Sequence, residues 1–152
     1  MASLREKIEA ELEQMDQALR ELPAARRVRA LTVLELGGTA SLLSSLYHGV
    51  ENILKQGLLA VGVALPNGAA WHRDLLQSAS EHGIVSVELR ERLAPYMAFR
   101  HFFTHAYGFD LDPESLAPLV RDIRAVCGCF EREARRYARK QAARGRPSQS
   151  PE

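Results

Sequence analysis

Leu4, Ile8, Leu12, Met15, Leu19 and Leu22 recur at three- and four-residue spacing, with Glu, Lys and Gln on the faces between them. That period predicts an amphipathic helix over residues 3 to 22, with Pro23 just past its end. Ser3 and Glu6 stand in capping-box positions at its start. A second, longer helix is expected from residue 26 to 56, with Leu31, Leu34, Leu42, Leu43, Leu46, Tyr47, Val50, Ile53 and Leu54 as its apolar positions. Gly37 and Gly38 should weaken it by about 1 kcal/mol each relative to Ala. They mark either a local kink or the close approach of another helix, one from a second subunit included.

Residues 57 to 69 read as a connector, in which the apolar run from Gly57 to Leu65 is a buried helix end plus loop and Leu65-Pro66-Asn67-Gly68 is the turn signal. A short third helix over 70 to 81 should stop at Gly83 and bury Trp71, Leu75, Leu76 and Ala79. Ser86 can cap a fourth helix that ends near Gly108. Pro95 lies inside it, so this helix either bends there or begins its regular part there. Asp112-Pro113-Glu114 restarts the chain as a fifth helix, with Asp at the N-cap, Pro at the first turn and an acid beside them. Leu116, Leu119, Val120, Ile123, Val126, Cys127, Phe130 and Ala134 form its stripe. No segment alternates as a strand would, and no repeat is visible. The expectation is an all-α antiparallel bundle of about five helices, one domain over residues 1–145, with residues 146–152 as a polar, disordered tail.

Composition changes this picture little. Hydrophobic residues make up 46% and charged residues 26%, ordinary for a globular domain. A net charge of +1 means that any nucleic-acid binding must come from a local patch. No apolar run has the length of a membrane span, and Met1-Ala2-Ser3-Leu4-Arg5-Glu6-Lys7 lacks a signal-peptide core, so a cytoplasmic location without membrane contact is expected. Cys127 and Cys129 are two apart on a helix and point away from each other, which reads as reduced thiols packed as small apolar groups. Arg132, Arg135, Arg136, Arg139, Lys140, Arg144 and Arg146 form a basic run. It reads first as a solvated helix end favoured by the dipole, and second as an RNA-guiding patch. Arg26, Arg27 and Arg29 are equally ambiguous.

The chemistry is concentrated in Phe99-Arg100-His101-Phe102-Phe103-Thr104-His105-Ala106-Tyr107. With Arg100 at zero on a helical wheel, Tyr107 falls near −20°, Thr104 near 40°, His101 near 100° and His105 near 140°, while the phenylalanines and Ala106 fill the opposite arc. The Phe side should be buried and the polar arc should face solvent, a cleft or a partner. Histidine suits proton transfer near neutral pH. Arginine suits charge developing on a phosphate. The roughly 140° between Arg100 and His105 is awkward for one helix, unless the last turn opens or two copies of the helix meet across a two-fold axis.

Arg100, four residues, His105, one residue, Tyr107: this Arg-x4-His-x-Tyr pattern resembles the motif of HEPN-domain ribonucleases, most closely the HepT-like toxins of HEPN/MNT toxin–antitoxin pairs. Gly108-Phe109-Asp110-Leu111-Asp112, Tyr47 to Leu54 and Trp71 to Leu76 also look like parts of that family, and the resemblance spans roughly residues 26 to 140. It implies a homodimer with a composite cleft and metal-independent RNA cleavage. Arg100 and His105 would then be catalytic, with His101, Thr104 and Tyr107 as RNA contacts or helpers. It also implies a nucleotidyltransferase antitoxin that attaches AMP to Tyr107.

Tyr47 and Glu51, four apart, are candidates for the cleft rim, although Tyr47 also reads as a core residue with its hydroxyl at the edge. His101 and His105 have a spacing that can hold zinc, but no third ligand shares their face, so no metal and no cofactor is expected. His48, His72 and His82 are scattered and uninformative. The competing reading is a non-catalytic HEPN bundle that serves as a binding or substrate subunit of a nucleotidyltransferase.

Overall fold

The computed structural model describes residues 1–105 and 110–146. Helix α1 covers Leu4–Glu21, a 3-10 helix covers Ala25–Ala30, and α2 covers Val33–Ala60. They are followed by α3 (Trp71–Glu81), α4 (Val87–His105) and α5 (Pro113–Arg144), with no strand among the described residues. The expected all-α bundle is therefore present. Ala106 to Phe109, including Tyr107 and the expected end of the motif helix at Gly108, lie outside the described residues, as does the expected tail from Pro147 onward.

Helix α1 starts as its capping box dictates. Ser3 accepts from the Glu6 amide at 3.2 Å, and Glu6 accepts from the Ser3 amide at 2.7 Å. Ile8, Leu12 and Met15 are its buried stripe. Leu22, just before Pro23, is extended and ends the helix.

The second helix differs from expectation at both ends. Residues 25–30 form a separate 3-10 helix that buries Val28, and α2 begins only at Val33. The reason is a second capping box: Thr32 accepts from the Glu35 amide, and Glu35 accepts from the Thr32 amide at 3.0 Å. At its other end α2 continues past residue 56 through 57–60, the helix end that the apolar run from Gly57 predicts, and stops at Gly62. Gly62 has a φ of 75°, and the amides of Gly62 and Val63 return to the carbonyls of Leu59 and Leu58. This reciprocal closure favours a residue without a Cβ. Gly83 repeats the device after α3, with a φ of 75° and the Ile84 amide bonded to the Ala79 carbonyl.

Helix α2 is the central element, packed against α1, α3, α4 and α5. It runs unbroken through Gly37 and Gly38, and a Cβ at either would meet no atom within 4 Å. The close approaches lie further along instead. A Cβ at Gly49 would stand 2.7 Å from Met15 Cγ, and one at Gly57 would stand 2.8 Å from Ile84 Cδ1.

Helix α4 begins at Val87, eight residues before Pro95, so the proline sits inside the helix rather than at its start. Ser86 Oγ accepts from the Leu89 amide at 3.1 Å, as an N-cap should. Across the bundle, the buried carboxylate of Glu133 on α5 accepts from both the amide (2.6 Å) and the hydroxyl (3.2 Å) of Ser86. A carboxylate at a helix N-terminus satisfies free amides and opposes the positive end of the dipole. Tyr96 then donates from its hydroxyl to the Leu119 carbonyl at 2.8 Å. These two links fix α4 on α5 upstream of the motif.

Cys127 is buried and Cys129 is half-buried; both are free thiols, and Cys129 donates to Glu133 at 3.2 Å. No helix among the described residues is long and apolar enough to cross a membrane.

Candidate functional site

Helix α4 carries Arg100, His101, Thr104 and His105 on its last two turns, and all four line one cleft. The opposite wall is the start of α3 with its preceding loop, including Trp71, His72 and Arg73. The cleft has a volume of about 510 Å³. Arg100 and His105 thus share a cavity despite their separation around the helix, because the cleft wraps across the face on which His101 and Thr104 sit between them.

The phenylalanine side behaves less uniformly than the wheel suggests. Phe99 and Phe103 stack at 6.0 Å and pack against the core. Phe102 stays 48% exposed, because no element among the described residues covers that arc.

Arg100 is anchored from below. Its Nη1 donates to the Ser44 carbonyl at 3.4 Å, and its Nε lies 3.9 Å from Oε1 of Glu51 on α2. The guanidinium is three-quarters buried and the Glu51 carboxylate is only 1% exposed. Glu51 Oε2 accepts from Nδ1 of His72 at 2.5 Å, since an ionised carboxylate can only accept and the ring nitrogen must supply the proton. One buried carboxylate therefore holds a side chain from each wall of the cleft.

His72 stacks on its neighbour Trp71 at 3.6 Å, and Lys55 Nζ sits 4.4 Å from the centre of the Trp71 ring. This cation–π contact and the stack fix the His72 ring in place. His72 read as uninformative in the sequence. The signal that could have found it is Glu51, a charge on the apolar stripe of α2 between Tyr47 and Leu54. A carboxylate buried there must find a partner.

His101 and His105 are exposed, with their rings edge-on at 5.1 Å. Among the described residues, no group of three or more His, Cys, Asp or Glu is arranged to hold a metal. Thr104 gives its hydroxyl proton to the Arg100 carbonyl at 2.8 Å, so towards the cleft it offers an acceptor only. Tyr47 is a core residue, as the apolar stripe of α2 predicts, though its hydroxyl does not reach the rim, and Glu51 is not a rim residue. They are buried on α2 beneath the cleft, 2% and 1% exposed. Neither the Tyr47 hydroxyl nor Glu51 Oε1 has a hydrogen-bond partner among the described residues. Burial, reinforced by the Glu51 charge, pushes the Tyr47 phenol well above its ordinary pKa. Tyr107 belongs to the undescribed segment.

The basic residues elsewhere are partly spent on structure. Arg135 forks onto Glu9 at 2.8 and 3.0 Å and also pairs with Glu131. Arg29 forks onto Glu114, joining the 3-10 helix to α5.

Fold and site together define an all-helical bundle with Arg100, His101 and His105 on the final turns of one helix, opening on a cleft. The family model described as HepT-like protein matches residues 38–141, from the second turn of α2 to the last turn of α5. The chain belongs to the HepT-like family of HEPN-domain proteins. Neither the curated proteins nor the solved structures give a match. Membership suggests a HEPN-type toxin and nuclease activity in general.

Proposed function

We propose that the protein is a metal-independent endoribonuclease toxin that works as a two-fold dimer. The observation that carries this reading is the convergence of Arg100, His101 and His105 on one cleft, with Arg100 held over a buried carboxylate. The 2′-hydroxyl of the RNA attacks the adjacent phosphorus, and the P–O5′ bond breaks. The products are a 2′,3′-cyclic phosphate and a 5′-hydroxyl. No oxidant, reductant or co-substrate enters the balance. His105 exchanges a proton with one of the two oxygens, and Arg100 binds the charge that gathers on the phosphorane. His101 and Thr104 contact the RNA backbone. Phe102, exposed on the same helix, supports assembly with a second copy near the cleft.

Tyr107 is the proposed site of control, two residues beyond His105. A nucleotidyltransferase partner attaching AMP to its hydroxyl would add bulk and negative charge where RNA phosphates must come.

Induced expression in a bacterial host tests the reading. Growth should stop with the wild-type chain and continue with His105→Ala. Co-expression of a nucleotidyltransferase encoded beside it should restore growth and add one AMP to the intact mass at Tyr107. Harmless expression of folded, unmodified wild-type protein would favour the binding-subunit reading instead.

A further inference from the structure

Cleavage by 2′-hydroxyl attack has two proton transfers, one from the attacking oxygen and one to the leaving oxygen. His105 accounts for one of them. We propose that His72, on the opposite wall, is the second proton-transfer residue, and that Glu51 is its positioning residue; this rests on the ribonuclease reading above.

The geometry is that of a carboxylate–imidazole dyad. Nδ1 of His72 donates to Oε2 of Glu51 at 2.5 Å, and Glu51 is 1% exposed. That bond ties up the inward edge of the ring. The ring is 34% exposed and lines the cleft, so Nε2, on the other edge, is the nitrogen left for substrate. A carboxylate on one ring nitrogen selects the tautomer in which the other carries a lone pair, and it stabilises the imidazolium once that nitrogen takes a proton. The stack on Trp71 removes the ring's freedom to turn away. His101 and His105 are exposed, and among the described residues neither ring is held by a buried carboxylate as His72 is.

In the step, Nε2 of His72 takes the proton of the 2′-hydroxyl as the oxygen–phosphorus bond forms. His105, protonated, gives its proton to the 5′-oxygen as the old bond breaks. Each imidazole ends in the other's starting state, and exchange with solvent resets the pair. The charged groups around His72 are Glu51 and Lys55 from α2, Arg73 from its own helix, and Arg100, His101 and His105 from α4.

The test is the pH profile of kcat/KM for cleavage of a labelled single-stranded RNA by wild type, His72→Asn, Glu51→Gln and His105→Ala. Asn keeps an amide N–H where Nδ1 stands, so the bond to Glu51 and the fold survive while Nε2 is lost. Wild type should show a bell shaped by two groups near neutrality. His72→Asn should lower kcat by about 10²- to 10⁴-fold with little change in KM, and should erase the acid limb. Glu51→Gln should show a smaller loss of the same kind. A folded His72→Asn variant with the wild-type kcat and an unchanged bell, alongside an inactive His105→Ala, would overturn the role of His72 and leave the ribonuclease reading standing. A wild-type chain that cuts no RNA would overturn both.

Discussion

Nε of Arg100 lies 3.9 Å from Oε1 of Glu51, a carboxylate sealed beneath the cleft. The distance is too long for a hydrogen bond, so the attraction steers the guanidinium without consuming its donors. The charge is held in place; one N–H is given to the Ser44 carbonyl, and the others are the ones that the proposed mechanism turns to a phosphate.

Replacing that carboxylate should hurt function more than stability. Glu51→Gln keeps a similar shape but removes the charge that orients Arg100 and His72. RNA cleavage should fall by about 10²-fold, as a misplaced catalytic group implies. Urea unfolding should shift by no more than about 1–3 kcal/mol, since both partners are partly exposed and can find water. Parallel kinetics and denaturation curves on one preparation check the split.

The link between Glu133 and Ser86 should matter for stability. Glu133→Ala would leave the Ser86 amide at the start of α4 without its acceptor, and the expected cost is about 1–3 kcal/mol. Ser86→Ala, which loses the N-cap hydroxyl, should cost about 1 kcal/mol. The two residues contact each other, so the double variant should lose less than the sum, and a double-mutant cycle by urea denaturation reads the coupling.

The glycines of α2 divide into two classes. Gly49→Ala and Gly57→Ala drive a methyl into Met15 and Ile84, and each should destabilise by about 1–3 kcal/mol. Gly37→Ala and Gly38→Ala meet open space and should stabilise by up to about 1 kcal/mol through helix propensity. Thermal melting of the four single variants gives the ordering.

Cys127 should resist alkylation in the folded protein. Burial pushes its thiol from 9.0 up to about 12. The unfolded thiol ionises first, so between those pH values the unfolded chain binds fewer protons and stability falls as pH rises. Burial pushes Tyr96 and Tyr47 upward as well, which adds to the loss above about pH 10. Iodoacetamide at pH 8 should label Cys129 before Cys127, and denaturation midpoints should drop between pH 9 and 11.

Much of this was legible in the sequence, because helices announce themselves locally. Ser3 with Glu6 and Asp112 with Pro113 start helices where their spacing says they should. The misplaced start of α2 was also a local matter, since Thr32 and Glu35 form the same box as Ser3 and Glu6 inside an unbroken apolar pattern. The cleft was legible on one wall only. Arg100, His101, Thr104 and His105 share a helix, and a wheel places them. His72 comes from another helix, and only folding brings it to Glu51, 21 positions earlier in the chain. The exposure of Phe102 is likewise a matter of what packs nearby, which periodicity does not reveal.

The most direct test of the central claim is incubation of purified, unmodified protein with 5′-labelled RNA in EDTA, followed by analysis of the product ends. The account predicts cutting to 2′,3′-cyclic phosphates, abolished in Arg100→Ala and His105→Ala variants that melt like wild type. Intact RNA after incubation with folded wild-type protein, or cutting that survives both substitutions, would contradict it.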